Sequence, residues 1–129
     1  MARIILVEDD PVIGQIIADV LFKAGHAPGL IADGETAIRV MRGRPPHLAI
    51  VDCAMPGMSG VQLVRMMRGD GRLCQVPVLM LTARRADSDE QLAMAAGADD
   101  YLRKPVDFDQ LVGRVDALLI QAATSRAAG

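Results

Sequence analysis

The sequence is poor in aromatic residues and in cysteine. Its 129 residues include no tryptophan, one tyrosine, two phenylalanines and two cysteines. Cys53 and Cys74 do not form a CxxC pair, so they predict neither a disulfide framework nor a thiolate metal site. We expect both thiols to pack as small hydrophobic core residues in a reducing cytoplasm.

The sequence also lacks a strong net charge and a long hydrophobic run. The formal net charge is −2, which argues against a nucleic-acid footprint built on excess basic charge. The longest apolar run is too short to span a bilayer, and the N-terminus has neither the apolar segment nor the cleavage site of a signal peptide. We predict one domain over residues 1–122, with residues 123–129 as a flexible tail, a frayed helix end or the start of a linker.

Short apolar runs of the kind found in buried strands recur along the chain. Residues 4–7, 48–51 and 76–81 are nearly continuous in apolar residues, which is typical of parallel strands covered by helices on both faces. Weaker strands are indicated at residues 26–31, where a proline and a glycine suit only a sheet edge, and at residues 98–102.

Segments with helical periodicity separate these strands. Five alternations of strand and helix predict an α/β fold with a doubly wound parallel sheet, arranged as a three-layer sandwich because crossover connections are right-handed. The segment 87–96 is predicted to be helical and to end at Gly97. The apolar stripes of the other helices are Val12, Ile13, Ile16, Ile17, Val20 and Leu21; Ala37, Val40 and Met41; Val61, Val64 and Met67; and Leu111, Val112, Val115, Leu118 and Leu119.

Polar side chains follow the predicted strands at their carboxyl ends, where ligands bind in open α/β sheets. We therefore expect these side chains to meet in one crevice. They are Glu8, Asp9 and Asp10 after the first strand, Asp52 after the third, Thr82 after the fourth and Lys104 after the fifth.

The acidic residues of this crevice indicate a cation site. Asp10 precedes Pro11 and the first helix, so it fits a helix N-cap with proline at N1. Glu8 and Asp9 have no such role, and with Asp52 they place three carboxylates in a small volume. Such carboxylates repel one another unless a cation lies between them, and Mg²⁺ prefers oxygen ligands of this kind. A solvated loop pair is the alternative for Glu8 and Asp9.

Thr82 and Lys104 indicate phosphoryl chemistry. A hydroxyl and an ammonium group do not bind a cation, but both suit the oxygens of a phosphoryl group. The Asp52 carboxylate is a suitable nucleophile toward phosphorus. Taken singly, Thr82 is also compatible with a helix cap and Lys104–Pro105 with an ordinary loop.

These residues resemble those of the receiver domains of two-component response regulators. The resemblance covers residues 4–119 and implies a chemotaxis-receiver-like, flavodoxin-like (βα)5 fold with strand order 2-1-3-4-5. It rests on LVEDD (6–10), DGETA (33–37), LAIVDCAMPGMSG (48–60), LMLTA (79–83) and GADDYLRKP (97–105).

The resemblance implies roles for residues in or directly after the third, fourth and fifth strands. Asp52 would be the phosphoacceptor, Thr82 the switch hydroxyl and Lys104 the phosphate-pairing cation before a cis proline. Tyr101 is either the aromatic switch of the family or an ordinary half-buried tyrosine.

The resemblance also implies a metal site and two positions whose side chains control the access of water to the phosphoryl group. Mg²⁺, with Mn²⁺ as a substitute, would be held by Asp9, Asp52 and the backbone carbonyl of Ala54, with Glu8 contributing through water. The side chains of Ala54 and Arg84 occupy positions that are thought to gate the attacking water.

The implied function is a phosphorylation-activated signalling switch that is not an enzyme beyond its own phosphorylation and dephosphorylation. A histidine kinase or phosphotransfer protein would be the donor. The surface of the fourth helix, fifth strand and fifth helix would control an effector, and a homodimer through the fourth and fifth helices is one option. We expect no direct nucleic-acid or membrane partner.

Three other functions compete with this interpretation. An aspartyl-phosphate phosphatase would usually carry a second acid two residues after its nucleophile, where Ala54 stands. A phosphate-independent interaction module would not need the full set of site residues. A nucleotide-binding fold would need a GxxxxGK or GxGxxG loop, which the sequence lacks.

Overall fold

Five parallel strands form the central sheet of the computed structural model, which describes residues 1–83 and 87–128. The strands lie in the order β2-β1-β3-β4-β5, as expected, and the strand with proline and glycine is at an edge. The strands are β1 (Arg3–Val7), β2 (Ala27–Ile31), β3 (Leu48–Asp52), β4 (Val78–Thr82) and β5 (Asp100–Arg103).

Helices connect the strands and cover both faces of the sheet, which confirms the flavodoxin-like α/β fold. α5 continues to Ala128, so residues 123–128 extend the last helix. Among the described residues, no helix combines the length and apolar character needed to cross a bilayer. The helices are α1 (Pro11–Lys23), α2 (Gly34–Gly43), α3 (Gly60–Arg68), α4 (Asp87–Ala96) and α5 (Phe108–Ala128).

Two hydrophobic clusters hold the three layers together. One joins α2, α3 and α4 to the sheet through residues such as Met41, Met67 and Met80, and the other joins α1 and α5 through residues such as Leu21 and Leu111. β3 and β4 are buried along their whole length, which explains why their sequences read as continuous apolar runs.

β4 and β5 each begin two residues later than predicted, because Arg68 and Asp99 organise the preceding turns. The Arg68 guanidinium donates to the carbonyl oxygens of Val76 at 2.7 Å and Gly97 at 2.8 Å, and to Asp99 at 2.9 Å. Asp99 also accepts a hydrogen bond from the Val78 amide at 2.8 Å. Gly97 ends α4 in the left-handed region, with a φ of 114°.

The two cysteines differ in their surroundings. Cys53 is buried in the cluster beneath α2, α3 and α4, as predicted. Cys74 is only half-buried and belongs to neither core cluster, so the prediction that it packs in the core was wrong. Its backbone amide donates to Asp70 in the turn after α3, and this turn keeps its side chain near the surface.

Gly60 allows α3 to begin directly against the end of β3. Its amide donates to the Cys53 carbonyl at 3.1 Å. A Cβ atom at this position would lie 2.1 Å from the carbonyl oxygen of Asp52, which is far inside van der Waals contact. The absence of a side chain therefore fixes how closely α3 approaches the Asp52 backbone.

We predict that Gly60→Ala lowers the free energy of unfolding by about 3 kcal/mol, since the clash is with backbone that cannot rotate away. Gly43→Ala is the matched control, because no atom lies within 4 Å of its would-be Cβ; it should be neutral or stabilising by up to about 1 kcal/mol. Urea unfolding of the three proteins measures the effect. Equal stabilities for the two variants would contradict the proposed close approach.

Candidate functional site

Three carboxylates meet at the carboxyl edge of the sheet. Val7 and Val51 are neighbours in the β1–β3 ladder, so Glu8 and Asp52, which follow them, emerge side by side. Glu8, Asp9 and Asp52 each offer a carboxylate oxygen, and these oxygens lie within 4.8 Å of one another. Glu8 and Asp52 are both 2% exposed, whereas Asp9 is exposed. The predicted convergence of these acids is therefore present in the structure.

Asp10 does not belong to this cluster of acids. Its carboxylate accepts hydrogen bonds from the amides of Val12 at 2.9 Å and Ile13 at 3.2 Å, and Pro11 follows as the first residue of α1. The predicted role as N-cap is confirmed. Its charge helps to satisfy the first turn of the helix.

Both oxygens of Asp52 are engaged. The Lys104 ammonium donates to Oδ2 at 2.9 Å, and the Ala54 amide donates to Oδ1 at 3.2 Å. Lys104 also lies 3.6 Å from Oε2 of Glu8. The Lys104–Pro105 peptide bond is cis, as the sequence led us to expect.

The charges of the site are strongly coupled. Burial raises the pKa of Glu8 from 4.5 to about 7, and the hydrogen bond and charge of Asp52 add to this effect, while Lys104 and the Asp10 amide oppose it. Partial burial disfavours the charged form of Lys104, but the hydrogen bond and charge of Asp52, together with Glu8, raise its pKa overall. One ammonium group therefore faces more negative charge than it neutralises.

The donor set of the site fits a divalent cation. Oε2 of Glu8 is fully buried and accepts no hydrogen bond among the described residues. The Lys104 ammonium, 3.6 Å away, is an ion-pair partner but too distant for a hydrogen bond, so a second positive group near this oxygen would be stabilising. A set of carboxylate oxygens without histidine or thiolate suits Mg²⁺ or Mn²⁺ rather than zinc. Glu8, Asp9 and Asp52 are the side chains that would hold it.

Thr82 lies at the end of β4 but is directed toward β5. It is fully buried, and its hydroxyl donates a long hydrogen bond of 3.5 Å to the carbonyl of Leu102. The hydroxyl is thus held by the neighbouring strand. Residues 84–86 follow, and the predicted role of Arg84 falls outside the described residues.

Tyr101 has partners that the sequence did not predict. Its ring is half-buried against the cluster beneath α4. The neighbouring Glu90 carboxylate raises the pKa of Tyr101. Glu90 also accepts a hydrogen bond from Nε of Arg103. Strand alternation places Tyr101 and Arg103 on one face of β5, but the rotation of α4 that presents Glu90 to them has no signature in the sequence.

Comparison with known proteins agrees with the fold and the site. The family model of the response regulator receiver domain matches residues 4–116, and the chain belongs to this family. Transcriptional regulatory protein BaeR from Escherichia coli is 37% identical over 124 residues, which are 96% of this chain and 50% of that protein.

Two further comparisons concern a DNA-binding relative and a solved structure. DNA-binding response regulator MtrA from Mycolicibacterium smegmatis is 38% identical over 117 residues, 91% of this chain and 50% of that protein. The solved receiver domain of sensor histidine kinase PA1611 from Pseudomonas aeruginosa is 30% identical, with a TM-score of 0.85 over 92% of this chain and 97% of that one. That structure is described as having a magnesium ion coordinated in its active site cleft.

The chain spans about half the length of the curated relatives that it matches. MtrA is named as DNA-binding, and the expectation that this chain has no direct nucleic-acid partner stays a prediction. The shared receiver domain identifies the chain as a part of two-component signalling.

We predict that the metal-free protein loses stability as the pH rises from about 4.5 to about 7. In that window the folded protein binds more protons than the unfolded chain, because the pKa of Glu8 is about 7 when folded and 4.5 otherwise, so the free energy of unfolding falls with pH. The whole shift corresponds to about 3 kcal/mol, since one pKa unit is about 1.4 kcal/mol, and about 2 kcal/mol of it is lost between pH 5 and pH 7.5.

Urea unfolding in the presence of a chelator at pH 5 and pH 7.5 measures this change. Glu8→Gln is the matched control, because it keeps the shape of the side chain and cannot ionise. An equal fall in stability for the wild type and Glu8→Gln would contradict the assignment to Glu8.

Proposed function

We propose that this chain is a phosphorylation-operated signalling switch with Asp52 as its phosphoacceptor. The observation that carries the proposal is the orientation of Asp52 at the end of the central strand β3. Lys104 and the Ala54 amide hold one oxygen each, at 2.9 Å and 3.2 Å. This fixes a nucleophile within a buried pocket of charge.

The donor would be a phosphohistidine of a histidine kinase or phosphotransfer protein. One Asp52 oxygen attacks phosphorus, the bond between phosphorus and the imidazole nitrogen breaks, and its electron pair remains on that nitrogen. An acyl phosphate forms on Asp52, and the donor histidine leaves as neutral imidazole because its other ring nitrogen carries a proton before the transfer. Lys104 is placed to pair with the transferred phosphoryl oxygens, since its ammonium already contacts Oδ2.

Glu8, Asp9, Asp52 and the backbone carbonyl of Ala54 would hold Mg²⁺, with Mn²⁺ as a substitute. When bound, the cation supplies positive charge beside the phosphoryl oxygens. The buried Oε2 of Glu8, which accepts no hydrogen bond among the described residues, and the magnesium described for the related PA1611 domain support this assignment. Ala54 in place of a second acid argues against a phosphatase acting on other substrates, and slow loss of its own phosphoryl group is the expected reverse step.

Thr82 and Tyr101 would carry the signal away from Asp52. The 3.5 Å hydrogen bond between Thr82 and Leu102 is weak, so the hydroxyl can exchange it for a phosphoryl oxygen at little cost. Tyr101 would then reposition and change the surface of α4, β5 and α5, which an effector or a second copy of the chain reads.

The energy available is of the right size for such a switch. Shifting a population from 1:99 to 99:1 takes about 5.5 kcal/mol of differential binding. A phosphoryl group that makes one to three new charge-assisted hydrogen bonds supplies a stabilisation of that order.

We predict that Asp52→Asn removes phosphorylation while the fold is retained, because the amide nitrogen is not a nucleophile toward phosphorus. Intact mass after incubation with acetyl phosphate and Mg²⁺ should show one phosphoryl adduct on the wild type and none on the variant. Asp116→Asn, on α5 and paired with His26, is the matched control and should be labelled like the wild type. A labelled Asp52→Asn protein would exclude Asp52 as the phosphoacceptor.

We predict that Asp9→Ala weakens Mg²⁺ binding at least about tenfold, because a carboxylate ligand is lost. Isothermal titration with MgCl₂ measures the affinity. Asp10→Asn removes the charge of the next residue, which lies outside the cluster, and keeps a good N-cap, so it should change the affinity much less. Unchanged affinity in Asp9→Ala, or an equal loss in both variants, would argue against Asp9 as a ligand.

A further inference from the structure

The loop between β3 and α3 is short and is fixed at both ends close to Asp52. Near its start, the Ala54 amide donates to Oδ1 of Asp52 at 3.2 Å. At its end, the Gly60 amide donates to the Cys53 carbonyl at 3.1 Å. A side chain that holds this loop in place therefore also positions the groups around Asp52.

Met58 attaches this loop to α2. Its side chain lies against Gly34, the first residue of α2, and a Cβ atom on that glycine would be 3.0 Å from the Met58 sulfur. Met58 also packs against the core cluster beneath α2, α3 and α4. The thioether is therefore an apolar contact between the loop that carries Ala54 and the backbone of the neighbouring helix.

One side of Met58 is accessible from solvent. The residue is half-buried and lines an open groove of ≈510 Å³ between α2 and α3. The walls of the groove come from Glu35 of α2 and from Gln62, Arg65 and Met66 of α3. A small polar reagent can therefore reach the Met58 side chain without unfolding the protein.

The other methionines lack this combination of position and access. Of the eight methionines, Met1, Met66 and Met94 are exposed but lie outside the loop. Met55 lies in the loop but is buried, and the remaining three are fully buried in the core. Met58 is thus the partly exposed methionine whose packing bears on the surroundings of Asp52.

We propose that Met58 is an oxidation site through which a peroxide slows the phosphorylation of Asp52 and weakens cation binding. This inference rests on the proposed function, since it assigns a regulator to that site. A sulfur lone pair attacks one oxygen of hydrogen peroxide, the O–O bond breaks, and the other oxygen leaves as water after a proton moves to it. Sulfur is oxidised by two electrons to the sulfoxide, and the peroxide is reduced.

The sulfoxide acts on the site by disrupting the packing of the loop. It is polar, whereas the thioether contacts Gly34 and an apolar cluster, so oxidation makes this contact unfavourable. The loop then loses its attachment to α2, and the backbone of Ala54 is held less firmly beside Asp52.

The experiment compares the wild type, Met58→Leu and Met66→Leu before and after treatment with hydrogen peroxide. Leucine keeps the apolar character and approximate volume of methionine but has no sulfur to oxidise. Met66→Leu is the matched control, because Met66 lines the same groove but lies on α3. A thiol reductant follows the peroxide and reverses sulfenic acids and disulfides, and all three proteins keep both cysteines.

Four quantities are measured on each protein. Fragment-ion mass spectrometry of a tryptic digest gives the oxidised fraction of each methionine. Intact mass after timed incubation with acetyl phosphate and Mg²⁺ gives the rate of phosphorylation. Isothermal titration with MgCl₂ gives the cation affinity, and urea unfolding shows that the treated proteins remain folded.

We expect oxidation of Met58 to slow the phosphorylation of the wild type and of Met66→Leu about fivefold, the factor that corresponds to one lost hydrogen bond. The Mg²⁺ affinity should fall by a similar factor. Met58→Leu should keep its rate and its affinity after the same treatment. Methionine sulfoxide reductases, one for each sulfoxide epimer, should restore both quantities in the wild type, which irreversible damage would not allow.

Three outcomes would overturn the inference. Oxidation of Met66 and Met94 without oxidation of Met58 would show that the groove does not admit the peroxide. An unchanged rate and affinity in protein oxidised at Met58 would show that its contact does not affect Asp52. An equal loss of activity in the wild type and Met58→Leu would assign the effect to another residue.

Failure of the proposed function is seen separately. If the untreated wild type gains no phosphoryl adduct, Asp52 is not a phosphoacceptor toward this donor, and an effect of Met58 on phosphorylation is excluded with it. The Mg²⁺ affinities of the untreated and oxidised proteins would still decide whether oxidation of Met58 alters the site.

Discussion

The arrangement of the site depends on one electrostatic constraint, which is the accumulation of three carboxylates opposite a single lysine. Two of these carboxylates are buried at the ends of adjacent strands, where water screens them poorly. Lys104 must therefore reach across from the end of β5 to Asp52. Gly60 allows α3 to close over the backbone on the other side. The loops around the site are arranged to hold these charges in place.

Lys104 neutralises only part of this negative charge. The charge that is left determines which groups the site can bind. The raised pKa of Glu8 and its buried oxygen without a hydrogen bond among the described residues both mark negative charge that Lys104 does not fully balance. Stability is thereby given up at a position where a cation can restore it. Perturbed charges of this kind are concentrated at functional sites, and the same residues make the resting protein sensitive to pH.

The sheet and the site could be predicted from the sequence because both follow from strong, local patterns. Buried parallel strands appear as apolar runs, and the residue after each run lies at the binding edge, which is how Glu8, Asp52 and Thr82 were located. The sequence-based predictions were wrong where a side chain from another element determines where a strand begins or how deeply a residue is buried. Arg68 and Asp99 delay β4 and β5, and the turn built on Asp70 keeps Cys74 near the surface. Glu90 depends on the rotation of α4, which a helix of weak amphipathic pattern does not reveal.

β5 links the charged site to the distant surface within two consecutive residues. The Leu102 carbonyl holds the Thr82 hydroxyl, while the side chain of the next residue, Arg103, is bound to Glu90 of α4. Thr82 and Arg103 are also paired in the β-ladder. A displacement of Thr82 toward Asp52 would therefore release one restraint on β5 and disturb the strand where the second is attached. Because the two restraints share this short segment, they are expected to yield together, which would make the switch cooperative rather than graded.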